Sequence, residues 1–181
     1  MGKGNYTEII VLPLLFNSYM LNSKEIKIKS SLTELYKVEA FVETISDVYN
    51  INNNYYSTIL ISLDEAVRNA ILHGNNFDEE KSVTLSFSSK NGELVFSVED
   101  EGNGFKFSEI PDPTEPGYDA TNEGGNGLFL MKQLSDKLSS NKQGNKISLH
   151  FKVSSINKEL AIQRTSALKS FFQEHKKVVS A

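Results

Sequence analysis

The hydrophobic pattern of the chain is most regular in residues 63–76, LDEAVRNAILHGNN. As a helix, this segment places apolar side chains on one face at i, i+3, i+4, i+7 and i+8: Leu63, Ala66, Val67, Ala70 and Ile71. Glu65, Asn69 and His73 are spaced four residues apart, so they line a second, polar face of the same helix. Such a column is either a solvated face or a set of groups that can take a proton, hold a cation and contact an anion.

Two elements are predicted before this helix. Residues 25–30 (EIKIKS) alternate polar and apolar, which predicts a strand with one buried face. Ser31 and Glu34 have the spacing of a capping box and predict a helix that runs to about Tyr49. The asparagine-rich sequence NINNN then breaks that helix, and the central helix is predicted to begin near Tyr55.

A β-hairpin is predicted after the central helix. Residues 82–88 and 93–99 both alternate polar and apolar, and Asn91-Gly92 between them is a strong signal for a tight turn. The second strand leads directly into residues 100–105, DEGNGF, whose glycines allow the backbone to approach a ligand closely.

A long loop separates this hairpin from the last elements of the sheet. Residues 106–127 contain three prolines and four glycines and have neither helical nor strand periodicity, and a loop of this length usually has a function. A helix is predicted over residues 128–138, and the amides at its start could bind phosphate. Strands at 137–141 and 146–153, joined by a turn at Gln143-Gly144-Asn145, complete the sheet.

Composition narrows the classes of protein. The chain has 181 residues, 39% of them hydrophobic and 23% charged, which is typical of one soluble globular domain. A net charge of -4 disfavours nucleic acid as a direct partner. The absence of cysteine excludes disulfides and thiolate chemistry, and three scattered histidines disfavour a histidine metal cluster. The apolar run from Ile9 to Phe16 is too short to cross a bilayer and has no signal-peptide features, so we expect a cytoplasmic protein without a membrane partner.

The chain is predicted to have three parts. Residues 1–23 form an N-terminal extension of unassigned role, and residues 24–154 form the folded domain. Residues 155–181 contain an amphipathic pattern over 157–179, which predicts a helix packed either on the domain or on a partner.

Three short motifs occur in order along the predicted domain: Glu65-x-x-x-Asn69 on a helix, Asp100-x-Gly102-x-Gly104 after a strand, and Gly125-x-Gly127-Leu128 at the start of a helix. Alone, the second motif is compatible with an ordinary turn and the third with a simple loop and helix start. Together they resemble the asparagine box and the two glycine boxes of the GHKL ATPases. The stretches LDEAVRNAILHGN, DEGNGF, IPDPT and EGGNGLFLMKQLSD resemble one branch, the anti-sigma-factor serine kinases.

The resemblance covers about residues 25–153 and implies a fold. It makes the domain histidine-kinase-like, an α/β sandwich (α+β) of the Bergerat type. A mixed, mostly antiparallel sheet would be covered on one face by helices, with ATP between the helical layer and a lid formed by the long loop.

The resemblance also implies roles for individual residues. Glu65 would be the general base on a serine hydroxyl, and Asn69 would hold Mg²⁺ through its side-chain oxygen. Asp100 would accept a hydrogen bond from the adenine amino group, and His73 would contact phosphate. The other implied ATP contacts are Gly102, Gly104, Phe105, Gly124, Gly125, Asn126, Gly127, Leu128 and Ser148.

Two positions depart from the family pattern. Asn145 occupies the place of a threonine that often bonds near adenine, which puts that contact in doubt. Residues 107–131 contain no lysine or arginine, although relatives often have a basic residue in or beside the lid. Because phosphoryl transfer depends on charge stabilisation, ATP binding is a safer expectation than rapid kinase activity.

The function implied by the resemblance is that of a partner-switching regulator, usually a homodimer. Such a protein sequesters a sigma factor and uses ATP and Mg²⁺ to phosphorylate a serine on a small, STAS-like anti-anti-sigma antagonist. Two alternatives remain open at this point. One is a nucleotide-gated binding module without phosphoryl transfer, and the other is a detached histidine-kinase catalytic domain. The latter is disfavoured because IPDPT and GLFLM match the anti-sigma branch and no phosphoacceptor hairpin precedes the domain.

Overall fold

The computed structural model describes residues 22–105 and 126–152, together with Ser166. The described strands form one five-stranded sheet in the order β1-β2-β3-β5-β4. Their bounds are β1 Ser23–Lys29, β2 Ser82–Lys90, β3 Glu93–Asp100, β4 Lys137–Ser140 and β5 Lys146–Lys152. All four pairings among these strands are antiparallel. The predicted α+β fold is confirmed, and the parallel component expected of a mixed sheet does not occur within the described residues.

Three α-helices accompany the sheet in residues 22–105 and 126–152. They are α1 Tyr36–Tyr49, α2 Asn53–Asn69 and α3 Asn126–Leu134. The Asn52 side chain caps α2 by accepting a hydrogen bond from the Tyr55 N–H at 3.0 Å. A π-helical turn, Ala70–Gly74, extends α2 toward the end of the central strand β3. None of the helices in the described part of the chain is long and apolar enough to cross a membrane.

The helices cover one face of the sheet. On that face β2, β3 and β5 bury every second side chain, and α1 and α2 contribute their apolar stripes, so that one core includes Val42, Ile45, Leu63, Val67, Leu85, Phe87, Phe96, Leu149 and Phe151. Aromatic rings connect the layers: Phe96 lies 5.1 Å from Phe87 and 5.9 Å from Phe151, and Tyr55 of α2 lies 5.8 Å from Phe151, between ring centroids. This packing fixes α2 across the sheet.

The predicted capping box is wrong. Ser31 makes no side-chain cap; residues Leu32–Glu34 form a 3₁₀ turn, and α1 begins only at Tyr36. The Ser31 hydroxyl bonds to that of Thr33 at 3.0 Å, and the Glu34 carboxylate pairs with Lys37. Neither of these contacts is one of the two hydrogen bonds that define a capping box.

The predicted hairpin and helix stops agree with the structure. Asn91 and Gly92 both have positive φ, 54° and 77°, as a two-residue turn of the primed type requires. Asn50 ends α1 in the left-handed conformation, with φ 49°. Residues 1–21 of the N-terminal extension, most of the long loop and the predicted C-terminal helix lie outside the described residues, Ser166 apart.

Candidate functional site

The carboxyl end of α2 brings two of the three predicted polar residues together. The Asn69 side-chain Nδ2 donates a hydrogen bond to Glu65 Oε1 at 3.2 Å, and both side chains are half-buried. Because the amide nitrogen bonds to Glu65, the Asn69 oxygen is the atom left to meet a hard cation. His73 lies beyond them in the π-helical turn and is exposed.

The first turn of α3 lies directly against Glu65. A Cβ atom placed on Gly127 would be only 1.8 Å from Glu65 Oε1, so any side chain at this position would displace the carboxylate. A carboxylate at a helix N-terminus is stabilised by the unpaired amides and the helix dipole. The structure therefore joins the first predicted motif to the third.

The structure describes only some of the remaining residues of the third motif. Leu128 is 7% exposed and belongs to the hydrophobic core, so its side chain is not a candidate for contact with phosphate. Asn126 begins α3, but its side chain lies outside the described part of the structure, as do Gly124 and Gly125.

Asp100 ends β3 on the helix-covered face of the sheet and is 8% exposed. Its Oδ1 accepts a hydrogen bond from the Gly102 N–H at 2.8 Å. Burial raises the pKa of the Asp100 carboxyl above its ordinary value, while that hydrogen bond acts in the opposite direction. A Cβ on Gly74 would lie within 2.6 Å of both carboxylate oxygens, so the Asp100 carboxylate occupies space that only a glycine at 74 leaves open.

The turn between β4 and β5 holds the segment that follows Asp100. The Asp100 N–H donates to Asn145 O, and Asn145 Nδ2 donates to Asp100 O, both at 2.9 Å. Farther along, the Phe105 N–H donates to Gly144 O at 3.3 Å. A Cβ on Gly104 would meet the Gln143 carbonyl oxygen at 2.0 Å, so the two backbones are in direct contact. Asn145, in the place of the expected threonine, thus forms hydrogen bonds with the backbone of Asp100. Phe105 remains 38% exposed.

Ser148 is not brought to this group. It pairs with Ser97 across β3 and β5, and their hydroxyl oxygens are 2.7 Å apart. Its neighbours Ile147 and Leu149 point into the core, so Ser148 faces the opposite side of the sheet from Asp100. Alternate side chains of a strand face opposite sides of the sheet, so the strand predicted over residues 146–153 already directed Ser148 away from the core face.

Sequence reasoning missed Asn75, which appeared only as part of a helix stop. Its side chain is completely buried, and it bonds both to the start of β2 and to the residue after Asp100. The available signal was the pair Asn75-Asn76: one asparagine suffices to end a helix, so the other was a candidate for a different role.

The two ends of the site are chemically distinct. Glu65 and Asn69 offer a proton acceptor and a cation ligand beside a helix start, and Asp100 offers a buried hydrogen-bond acceptor at the end of the central strand β3. Glu65 and Gly74 are nine positions apart, roughly 13 Å at 1.5 Å per residue. No cluster of three or more acidic or histidine side chains suited to a metal ion occurs among the described residues. A cation at Asn69 would take most of its oxygens from a ligand such as a polyphosphate.

A protein-family model described as a histidine kinase-like ATPase domain matches residues 28–151, more than half of the chain. The matched span contains both ends of the site described above. The three motifs thus lie within a single matched domain.

Individual relatives carry two kinds of name. Serine-protein kinase RsbW of Oceanobacillus iheyensis is 29% identical over 108 residues, covering 55% of this chain and 68% of the relative. RsbW of Bacillus subtilis is 34% identical over 83 residues, covering 43% and 52%. Anti-sigma F factor of Clostridium perfringens strain SM101 is 34% identical over 91 residues, covering 49% and 64%. The chain spans about half to two thirds of the length of these relatives.

A solved structure of the RsbU and RsbW domains of a Mycobacterium tuberculosis protein has a similar fold. Its TM-score is 0.50 and its identity 16%, and the match covers 72% of this chain and 32% of that chain. At this identity the likeness concerns the fold alone.

Proposed function

Because this chain belongs to the histidine kinase-like ATPase family, we propose that it is an ATP-binding anti-sigma regulatory factor with protein serine kinase activity. Its substrate would be a small, STAS-like anti-anti-sigma protein in a partner-switching system, and its other partner a sigma factor. The names of the relatives, serine-protein kinase and anti-sigma factor, support this assignment.

The observation that carries the proposal is the placement of both ends of the site along α2 and its π-helical turn. Glu65, which accepts a hydrogen bond from Asn69, lies against the start of α3, and Gly74 receives the Asp100 carboxylate. An adenine at Asp100 and phosphates at Asn69 and the α3 amides would match the acceptor at one end and the cation ligand and donors at the other.

In the proposed reaction, Glu65 accepts the proton of the serine hydroxyl. The serine oxygen forms a bond to the γ-phosphorus while the bond from that phosphorus to the β,γ-bridging oxygen breaks, and ADP leaves. Asn69 supplies an oxygen ligand suited to Mg²⁺, which would neutralise charge on the phosphates. The Asn69 amide also orients Glu65 through their hydrogen bond.

A second candidate is a nucleotide-gated binding module without phosphoryl transfer. The observation that favours it is the absence of lysine and arginine from residues 107–131, the segment in which the family resemblance predicts most of the lid. Charge on the γ-phosphate would then depend on Mg²⁺, on helix amides and on groups from a partner.

Calorimetry with ATP and Mg²⁺ tests the binding site, using the wild type, Asn69→Ala and Asp100→Asn. We expect ATP affinity to fall at least about tenfold in both variants, because each loses a hydrogen-bonding or charged contact. Absence of wild-type binding at millimolar ATP would contradict the whole proposal.

Phosphoryl transfer is tested separately with labelled ATP and a purified anti-anti-sigma protein. We expect acid-stable phosphoserine with the wild type and only a small residual yield with Glu65→Gln, which keeps the shape of the side chain but cannot accept the proton. An acid-labile product would indicate a histidine kinase, and normal ATP binding without any product would favour the binding module.

A further inference from the structure

The Asn75 side chain connects three segments of the site. It has no exposed surface. Its Nδ2 donates to Ser82 O, at the start of β2, at 3.0 Å, and its Oδ1 accepts from the Glu101 N–H at 2.8 Å. Its own backbone N–H closes the π-helical turn by donating to Ala70 O. One amide therefore ties the end of the central helix to two neighbouring strands.

Backbone conformation does not explain why an asparagine occupies this position. Asn75 has φ -88° and ψ -9°, which other residues also adopt. By contrast, Asn50, Asn76 and Asn91 have φ between 49° and 54°, the left-handed region that asparagine tolerates. The requirement at position 75 is therefore for a buried side chain that donates on one side and accepts on the other.

The bond to Glu101 acts on the residue next to Asp100. Glu101 and Gly102 form the turn that folds back onto the Asp100 carboxylate, since the Gly102 N–H donates to Asp100 Oδ1. The same turn rests on the helix end, because a Cβ on Gly102 would lie 2.1 Å from Gly74 O. Asn75 thus fixes the height of this turn above Gly74, and with it the position of the carboxylate.

We propose that Asn75 is a positioning residue for base selectivity: it holds the Glu101 amide so that the Asp100 carboxylate meets an exocyclic amino group on the purine. This inference rests on the proposed function, since it assumes that a nucleotide base lies at Asp100. An adenine offers an N–H donor there, whereas a 6-oxo purine offers an acceptor that the carboxylate repels. A displaced turn would blunt this discrimination, because a buried acceptor rejects a mismatched group only when it is correctly placed.

The experiment compares the affinities of ATP and inosine triphosphate for each variant by calorimetry with Mg²⁺. Asn75→Ser removes both hydrogen bonds of the side chain. Glu101→Pro removes the backbone N–H that donates a hydrogen bond to Asn75, while Asn75 itself stays unchanged. We expect the preference for ATP over inosine triphosphate to fall about tenfold in each.

Two matched controls separate positioning from general damage. Asn76→Gly changes the adjacent, exposed asparagine in a conformation that glycine also adopts. Glu101→Ala removes the exposed carboxylate and its ion pair with Lys27 but keeps the amide N–H. Both should keep the wild-type preference, and thermal unfolding should show that every variant compared is folded.

The outcomes distinguish this inference from the function on which it rests. If the wild type binds no ATP, the proposed function fails and the inference fails with it. If the wild type prefers ATP and Asn75→Ser or Glu101→Pro retains that preference, only the inference is overturned. An equal loss of affinity for both nucleotides also overturns it, because a purely structural role lowers both alike. If Asn75→Ser does not fold, the nucleotide preference of Glu101→Pro compared with that of Glu101→Ala decides whether the inference holds.

Discussion

Asp100 is an ionisable residue with 8% of its surface exposed, and burial disfavours its charged form. Since the folded state raises the pKa of this carboxyl, the folded state binds a proton more readily than the unfolded state. Stability from this group is therefore greatest at low pH and is lost as pH rises through the raised pKa. The ionised carboxylate is the stronger acceptor for an amino group, so folding favours the protonated form and the proposed binding favours the ionised form.

We predict that Asp100→Asn is more stable than the wild type at pH 8, and that the difference shrinks as pH falls below the pKa of Asp100. The amide removes the buried charge and keeps an oxygen that accepts from the Gly102 N–H. Urea unfolding at a series of pH values from pH 8 downward measures the effect. A variant less stable than wild type at pH 8 would show that the charge-assisted bond to Gly102 outweighs burial.

We predict that Gly127→Ala lowers the rate of phosphoryl transfer about tenfold or more, because a Cβ at 127 displaces the Glu65 carboxylate. The effect should appear mainly in kcat, with a smaller change in the KM for ATP. The control is Gly127→Ala in a Glu65→Gln background. If alanine at 127 acts through Glu65, it should have no additional effect on the residual rate there, and a full additive loss would contradict this explanation.

At the residue scale, the sequence was sufficient to predict that Glu65 and Asn69 share one helix face and that Asp100 ends a strand, since both are local properties. It was not sufficient for Asn75 or Asn145. Their contacts join residues 26 and 45 positions apart, respectively. Such contacts depend on the packing of the strands. Ser148 was assigned by motif position, although strand alternation directs it to the other face.

At the scale of elements, α2 is the best predicted part of the chain, because its apolar stripe and the preceding asparagines both indicate a helix. The π-helical turn at its end was not predicted. Its hydrogen bonds run five residues back, as from the Asn75 N–H to Ala70 O, and a periodic hydrophobic pattern does not distinguish one such turn from an α-helical one. That turn places Gly74 under Asp100.

The exposed surface of α2 carries an isolated apolar residue beside the proposed catalytic group. Ile61 is 47% exposed and precedes Glu65 by one helical turn. We predict that Ile61→Asp raises the KM for the anti-anti-sigma protein about tenfold and leaves the affinity for ATP unchanged, because a large apolar residue next to the transfer site suits contact with a protein substrate. Steady-state kinetics against both substrates measures this.

The control for Ile61→Asp is Ser57→Ala, one further turn from Glu65 on the same exposed side. It should leave both constants unchanged. An equal rise in the KM of both substrates for Ile61→Asp would indicate distortion of α2 rather than lost contact with the protein substrate.

At the scale of the whole molecule, the strand order places β5 beside β3 and so brings the β4–β5 turn onto the segment after Asp100. Hydrophobic alternation predicted each of these strands but not their order, because pairing between β3 and β5 spans about fifty residues of chain. The family resemblance supplied the architecture that periodicity alone leaves open, and the family match confirms it.

The hydrophobic core of the described residues begins at Ile28 and ends at Phe151, within the predicted domain 24–154. The side chains of the site lie in the same range, so a chain shortened to residues 22–154 should fold and bind ATP with unchanged affinity. If the predicted C-terminal helix contributes to a homodimer, the full chain should sediment as a dimer and the shortened chain as a monomer. Calorimetry and sedimentation of both chains test the two halves of this prediction independently. A shortened chain that remains dimeric would place the contact on the domain itself, whereas one that is monomeric yet loses ATP affinity would make the nucleotide site depend on the dimer.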